Sequence, residues 1–177
     1  MRNPKIVLMP TSPSDQGNAW AQFSLANAYD TGTGLPQDPA QAASWYRKAA
    51  DAGDAAAMTN LGSMYENGRG GLPKDEQQGL IWFRKAVEKG DPAGMVNLGF
   101  LYANGRAGLS KDDEQAVTWF RRAAGQGDAA GMANLGYMYE KGRGLPKDDQ
   151  QALSWYHKAA DLGNSYAQKA LARMGMQ

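Results

Sequence analysis

The stretch GDAAGMANLGYMYEKGRGLPKDDQQALSWYHKAA, residues 127–160, decides the fold. Apolar or small residues recur in it at i, i+3, i+4 and i+7: first Met132, Leu135, Gly136 and Tyr139, then Ala152, Trp155, Tyr156 and Ala159. That spacing puts each set on one face of a helix. Between the sets lies a break rich in Gly and Pro, Gly142-Arg143-Gly144-Leu145-Pro146, and Asp148 with Gln151 after it reads as a capping box in which Asp replaces Ser or Thr. The stretch is therefore a helical hairpin, opened by Gly127 as the left-handed end of a preceding helix and Asp128 as the N-cap of the next.

The same hairpin recurs along the chain. Gly17, Gly53, Gly90, Gly127 and Gly163 are each followed by Asn or Asp, and the 177 residues divide into a leader of 16, repeats at 17–52, 53–89, 90–126 and 127–162, and a tail from 163 to 177. The step between 36 and 37 residues falls in the Gly- and Pro-rich turn, where insertions are tolerated. Asp38, Asp75 and Asp112, with Gln41, Gln78 and Gln115, repeat the capping box. A glycine in mid-helix costs about 1 kcal/mol against Ala. The recurrence of Gly62, Gly99 and Gly136 therefore predicts a neighbouring helix crossing with no room for a Cβ; the end blocks hold Ala26 and Ala172 there. Basic pairs such as Arg47-Lys48, Arg84-Lys85 and Arg121-Arg122 fall near the C-terminal end of each second helix, where the dipole favours cations.

Two short helices do not bury their faces alone, so the hairpins must stack. The expected fold is all-α: an α-solenoid of four helix-turn-helix repeats in 17–177, closed by a polar capping helix from Asn164 to Met174. The leader, with Pro4, Pro10 and Pro13, has no helical pattern; Ile6 to Met9 either packs on the first repeat or is a remnant of processing.

Composition excludes several function classes. The 19 Lys and Arg against 18 Asp and Glu give a formal charge of +1, which asks for no nucleic acid partner. The apolar run of four residues at the N-terminus is too short for a signal segment, and no membrane span is visible, so the cytoplasm is the expected compartment, with periplasm or export as the alternative if a signal has been removed. No cysteine is present, and the one histidine, His157, sits at the repeat position of Arg47, Arg84 and Arg121, on a solvated helix face. The carboxylates recur as caps, and Gly-Arg-Gly at 68–70 and 142–144 lacks the Lys-Ser/Thr of a phosphate loop. No catalytic residue, cofactor or metal ligand is expected.

The string from Gly127 to Asp148, with Ala152, Trp155-Tyr156 and Lys158-Ala159-Ala160, resembles the Sel1-like repeat, a relative of the tetratricopeptide repeat. The resemblance covers residues 17 to 175 and recurs four times. It implies a right-handed superhelix whose first helices line a concave groove, and a role as an adaptor or scaffold for other proteins. Some relatives carry interhelical disulfides, which this chain cannot form.

If the first helices line a groove, its residues lie beside the core stripe. One row begins at Trp20 and continues through Ala56, Ala93 and Ala130; another is Phe23, Thr59, Val96, Ala133 and Lys169; a third is Ser24, Asn60, Asn97 and Asn134; the fourth, Asn27, Ser63, Phe100, Tyr137 and Arg173, varies most. The Asn ladder reads in two ways, as amides bonding the backbone of an adjacent helix to fix the stacking angle, or as a grip on an extended peptide. Related tetratricopeptide domains clamp a carboxylate with Asn plus Lys, but the matching Lys positions here hold Thr59, Val96 and Ala133. At the C-terminal corner Asn134, Tyr137, Lys169 and Arg173 either converge on an acidic or carboxylate-bearing segment or form a solvated cap. Arg69, Arg106 and Arg143 make a ladder on the turn edge, solvated or paired with aspartates, an anionic partner being the alternative. The expected function is a non-enzymatic interaction scaffold for a protein or extended peptide; the alternative is an immunity-type inhibitor that neutralises a toxin by tight binding.

Overall fold

The computed structural model describes residues 18–175; the leader, with its Ile6 to Met9 run, lies outside them. These described residues form nine α-helices and no strand: α1 (Ala19–Thr31), α2 (Pro39–Asp51), α3 (Ala55–Asn67), α4 (Glu76–Glu88), α5 (Pro92–Asn104), α6 (Asp113–Gly125), α7 (Ala129–Lys141), α8 (Asp149–Asp161) and α9 (Ser165–Arg173). The expected all-α array of four hairpins and a closing helix is what the chain forms. It divides into two compact units, residues 1–85 and 86–177, with the boundary inside α4.

Each joint from one hairpin to the next is three residues long, Ala52-Gly53-Asp54 in the first case. At the end of α2, Gly53 takes φ +95° and Asp54 N–H reaches back to the Ala49 carbonyl, the six-to-one bond of a Schellman motif. The Asp54 side chain then accepts from Ala57 N–H at 2.7 Å, capping α3. Asp91, Asp128 and Asn164 repeat both roles, bonding Ala86, Ala123 and Ala159 behind them and Gly94, Gly131 and Ala167 ahead.

The turns inside the hairpins differ from the expected capping box. Asp38, Asp75, Asp112 and Asp148 do accept from the Gln N–H three residues on. Their own backbone N–H groups, however, donate to the carbonyls of Tyr29, Tyr65, Tyr102 and Tyr139 in the first helix of the same hairpin. With that donor satisfied across the turn, the Gln side chain has no box to close, and the bond ties the two helices at their turn end.

Inside the second, third and fourth hairpins an aromatic ring of the second helix lies over the mid-helix glycine of the first; the first hairpin holds Ala26 at that place. A Cβ built on Gly99 would stand 2.6 Å from the Phe120 ring, one on Gly62 2.7 Å from Phe83, and one on Gly136 2.9 Å from Tyr156. All four ring residues, Tyr46, Phe83, Phe120 and Tyr156, are buried. In the second unit α5 packs on α6 and α7, α7 on α8, and α8 on α9. The core there runs from Met95, Leu135 and Phe120 to Tyr156, Ala167 and Leu171. On the second helices the latter member of each basic pair folds over the Trp three residues before it, as Lys48 over Trp45 at 3.8 Å and Lys158 over Trp155 at 4.2 Å. Those cations therefore cover indole surface as well as meeting the helix dipole.

Gly99→Ala is expected to lower stability by about 1–2 kcal/mol, since overpacking of 1–3 kcal/mol exceeds the gain in helix propensity. Gly125→Ala, at a helical position with nothing within 4 Å of the new methyl, is expected to raise it by about 0.5 kcal/mol. Urea unfolding of the two variants beside the parent checks the pair.

Candidate functional site

Within the second unit, α5, α6, α7 and the start of α9 enclose a cleft of about 490 Å³. Its interior is apolar and open because residues facing it are small, Ala103, Ala130 and Ala133, with Phe120 also in the lining. Phe100 stands at the mouth, 44% exposed, its ring edge-on to Phe120 at 5.5 Å. Tyr137 and Tyr166 add two more rings, and Asn104, Asn134, Arg143 and Asn164 supply the polar groups.

The polar groups are oriented by bonds within the protein. Asn134 Nδ2 donates to the Ala130 carbonyl and Asn104 Nδ2 to the Phe100 carbonyl, each one turn back and 2.8 Å away. A carbonyl accepts only from the NH2 end of an amide, so both Oδ1 atoms are turned away from the helix. Arg143, from the α7–α8 turn, reaches the N-terminus of α6: Nε donates to Asp113 Oδ2 at 3.1 Å, and Nη2 to Asp113 Oδ1 at 2.5 Å and to the Ala103 carbonyl at 2.8 Å. The guanidinium holds the Asp113 carboxyl below its ordinary range, and Asp113 raises the Arg143 pKa in return. Arg143 is thus a clamp between successive hairpins, its charge matched. Arg69 pairs likewise with Asp30 at 2.7 Å in the first unit. For these two, pairing with an aspartate is what the structure shows.

Behind the cleft a second polar cluster ties α9 to α7. Glu140 is 8% exposed, and its carboxylate accepts two bonds from Arg173, at 2.8 and 2.6 Å, one from Lys141 at 2.5 Å and one from the Tyr156 hydroxyl at 2.9 Å. Arg173 foremost brings the Glu140 pKa down to about 2, against the opposing effect of burial. Burial and the neighbouring carboxylate push Tyr156 well above its usual value. Tyr46, the equivalent ring in the first hairpin, donates to Asn27 Oδ1 at 3.1 Å and is raised to about 12, chiefly by burial.

Of the groove residues read from the sequence, Phe100, Asn134 and Tyr137 meet in the cleft. Lys169 and Arg173 are not part of its lining. Lys169 is exposed, and Arg173 is committed to Glu140, so of the two readings of that corner the convergence on a carboxylate does not assemble. Val96 and Ala133 are buried, because their row falls where α5 packs on α7; Thr59, at the same register, is buried as well. Asn97 is half-buried on α5. Two members of the Asn ladder bond elsewhere than to the backbone of an adjacent helix: Asn134 bonds the backbone of its own helix, and Asn60 meets the side-chain hydroxyl of Tyr46 on the adjacent α2. In the first unit Trp20 is 71% exposed, Phe23 packs on Tyr46 at 5.9 Å, Asn27 receives the Tyr46 hydroxyl, and Ser63 is half-buried. Sequence reading missed Asn104, Asn164 and Tyr166. Tyr166 was within reach, since it continues the row of Trp20 and Ala130 one repeat further on. Among the described residues no group of three or more His, Asp or Glu is placed to hold a metal ion, and no helix is long and apolar enough to cross a membrane.

The Sel1 repeat family model matches the chain four times, at residues 21–54, 55–91, 92–128 and 129–164. Among solved structures the chain is similar to a Sel1 repeat protein from Oxalobacter formigenes, with 39% identity and a TM-score of 0.83 over 92% of this chain and 66% of that one. It is similar to a protective antigen of uropathogenic Escherichia coli with an SLR fold, with 34% identity and a TM-score of 0.79 over 91% of this chain and 34% of that one. The cysteine-rich protein B of Helicobacter pylori follows at 27% identity and a TM-score of 0.57, over 71% and 94% of the two chains. This chain thus spans just under two thirds of the first of these proteins and about a third of the second. Comparison with curated proteins finds no match.

Because the Glu140 pKa is lower in the folded chain than its ordinary value of 4.5, its stabilising contribution is full above pH 4.5 and fades as pH falls towards 2. Glu140→Gln is expected to lower stability at pH 7 by about 1–2 kcal/mol, since it removes a buried acceptor charge while its partners Arg173 and Lys141 stay largely exposed and screened. The gap to the parent should narrow steadily between pH 4.5 and 2. Urea midpoints of both proteins across that range test the window.

Proposed function

As the chain belongs to the Sel1 repeat family, a fold that is in general a non-catalytic scaffold for protein interactions, we propose that this protein is a non-enzymatic adaptor whose cleft between α5, α7 and the start of α9 docks a segment of a partner protein. The observation that carries the reading is the cleft itself: an apolar interior formed by small side chains, bounded by three rings and by amides whose acceptor ends are turned outward. Concave, mostly apolar sites with a few oriented polar groups are what binding requires. Exposed rings next to such a hollow are the usual anchors of an interface. The amide of Asn134, offering Oδ1 and its remaining N–H, matches the alternating donors and acceptors of an extended backbone. An acidic segment, the sharper expectation from sequence, finds little support, since Arg173 and Arg143 are both already paired with carboxylates.

Phe100 and Tyr166, 44% and 47% exposed, accept a charge without loss of fold. The double variant Phe100→Glu/Tyr166→Glu is expected to weaken binding of partners captured on the immobilised protein by at least tenfold, whereas Trp20→Glu, in the first unit, leaves it unchanged. Full retention of the partners by the double variant, with helical content intact by circular dichroism, would remove the cleft from the interface.

A further inference from the structure

We infer that the last turn of α6 is a docking point for an acidic segment of a partner protein, whose carboxylates sit over Gly125 and take the open donors of Arg121 and Arg122. None of these three residues lines the cleft, so the inference stands apart from the docking site proposed above.

The first ground is a departure from the repeat. α2 ends on Arg47-Lys48 with Asp51, α4 on Arg84-Lys85 with Glu88, and α8 on His157-Lys158 with Asp161. Positions three and four apart are neighbours on a helix surface, so in each of these helices one acid stands beside both members of the basic pair. In α6 the pair is Arg121-Arg122, and the place of the acid is held by Gly125. It is the one second helix with two arginines and the one without a carboxylate in its last turn.

The second ground is what the two side chains do. Arg47, half-buried in the first hairpin, donates to the Tyr65 hydroxyl and lies over the rings of Tyr65 and Trp82. Arg121 holds the same place in the third hairpin but is exposed, and among the described residues it makes no hydrogen bond, ion pair or ring contact. Arg122 is exposed too, with its guanidinium over the Trp119 ring at 4.7 Å. That contact orients the group without engaging a hydrogen-bond acceptor, so its N–H donors stay open. A Cβ built on Gly125 meets nothing within 4 Å, which leaves the surface beside both arginines clear.

Chemistry then chooses the occupant. A guanidinium presents its N–H groups in a fork that matches the two oxygens of a carboxylate, and such charge-assisted bonds are among the strong ones. Nucleic acid and anionic membranes are met instead by extended basic stripes or larger clusters. Here the footprint is short, since the basic pairs at 84–85 and 157–158 have Glu88 and Asp161 beside them and the whole chain carries a formal +1. Two or three neighbouring acidic side chains on one segment match it.

The test is a titration of the 15N-labelled full chain with acetyl-Ala-Glu-Glu-Glu-Ala-amide, its Gln counterpart and a short single-stranded oligonucleotide. The Glu peptide should shift the amides of Arg121, Arg122 and Gly125 and the indole N–H of Trp119 saturably, and the Gln peptide should not. Raising the salt from about 0.05 M to about 0.5 M should weaken the Glu peptide. Gly125→Asp, which gives α6 the acid found in the other second helices, should raise the Kd about fivefold, the upper scale of one exposed ion pair. Gly125→Asn, of the same size but uncharged, should leave it near the parent value. Arg121→Gln/Arg122→Gln should abolish the saturable shifts; all three positions are exposed, and circular dichroism checks that each variant keeps its helices. Equal effects of Gly125→Asp and Gly125→Asn, tighter binding of the oligonucleotide than of the Glu peptide at these amides, Glu-induced shifts confined to the cleft, or no saturable shift at all overturns the inference.

Discussion

The second, third and fourth hairpins each close on a contact between a ring and a place where the chain has no Cβ. Phe83 over Gly62, Phe120 over Gly99 and Tyr156 over Gly136 set how near the second helix comes to the first, and nothing else in the hairpin can be placed until that distance is fixed. With the helices so close, the Asp N–H at the start of the second helix reaches a tyrosine carbonyl of the first. The glycines are poor helix formers, and the cost of each is offset by the burial of a whole aromatic side chain.

Much of this was legible in the chain before any coordinates. A period of 36 or 37 residues, apolar stripes at helical spacing, and Gly followed by Asp or Asn at every joint are local signals, and local signals are what a single sequence carries well. The candidate site was legible in part. Phe100, Asn134 and Tyr137 were found by register, because the cleft follows the face of the first helices. Val96 and Thr59 misled, since beside the core stripe a position is groove or interhelical core according to the angle at which neighbouring helices pack, and that angle is not written in one helix. Arg173 misled for another reason: its partner Glu140 is 33 positions away and recognisable as a partner only once α9 lies against α7.

The terminal hairpins differ from the interior ones in one respect. Phe83 and Phe120 are plain rings, whereas Tyr46 and Tyr156 add a hydroxyl that must be satisfied inside the protein, by Asn27 in one case and by Glu140 in the other. The second arrangement draws in Arg173 and Lys141 and so ties the closing helix down. Because α9 also brings Asn164 and Tyr166 to the cleft, the ion pair that holds the last helix holds one wall of the site. Stability at the end of the array and the shape of the site are thus supported by the same carboxylate.

The short joint between hairpins has an evolutionary consequence. Because a single Asp or Asn both completes the end of one helix and caps the next, a stretch of gene cut between Gly and Asp carries a module finished at both boundaries. Duplication or loss of such a stretch changes the number of modules without creating a new kind of seam. The length of the protein is then free to vary by whole repeats.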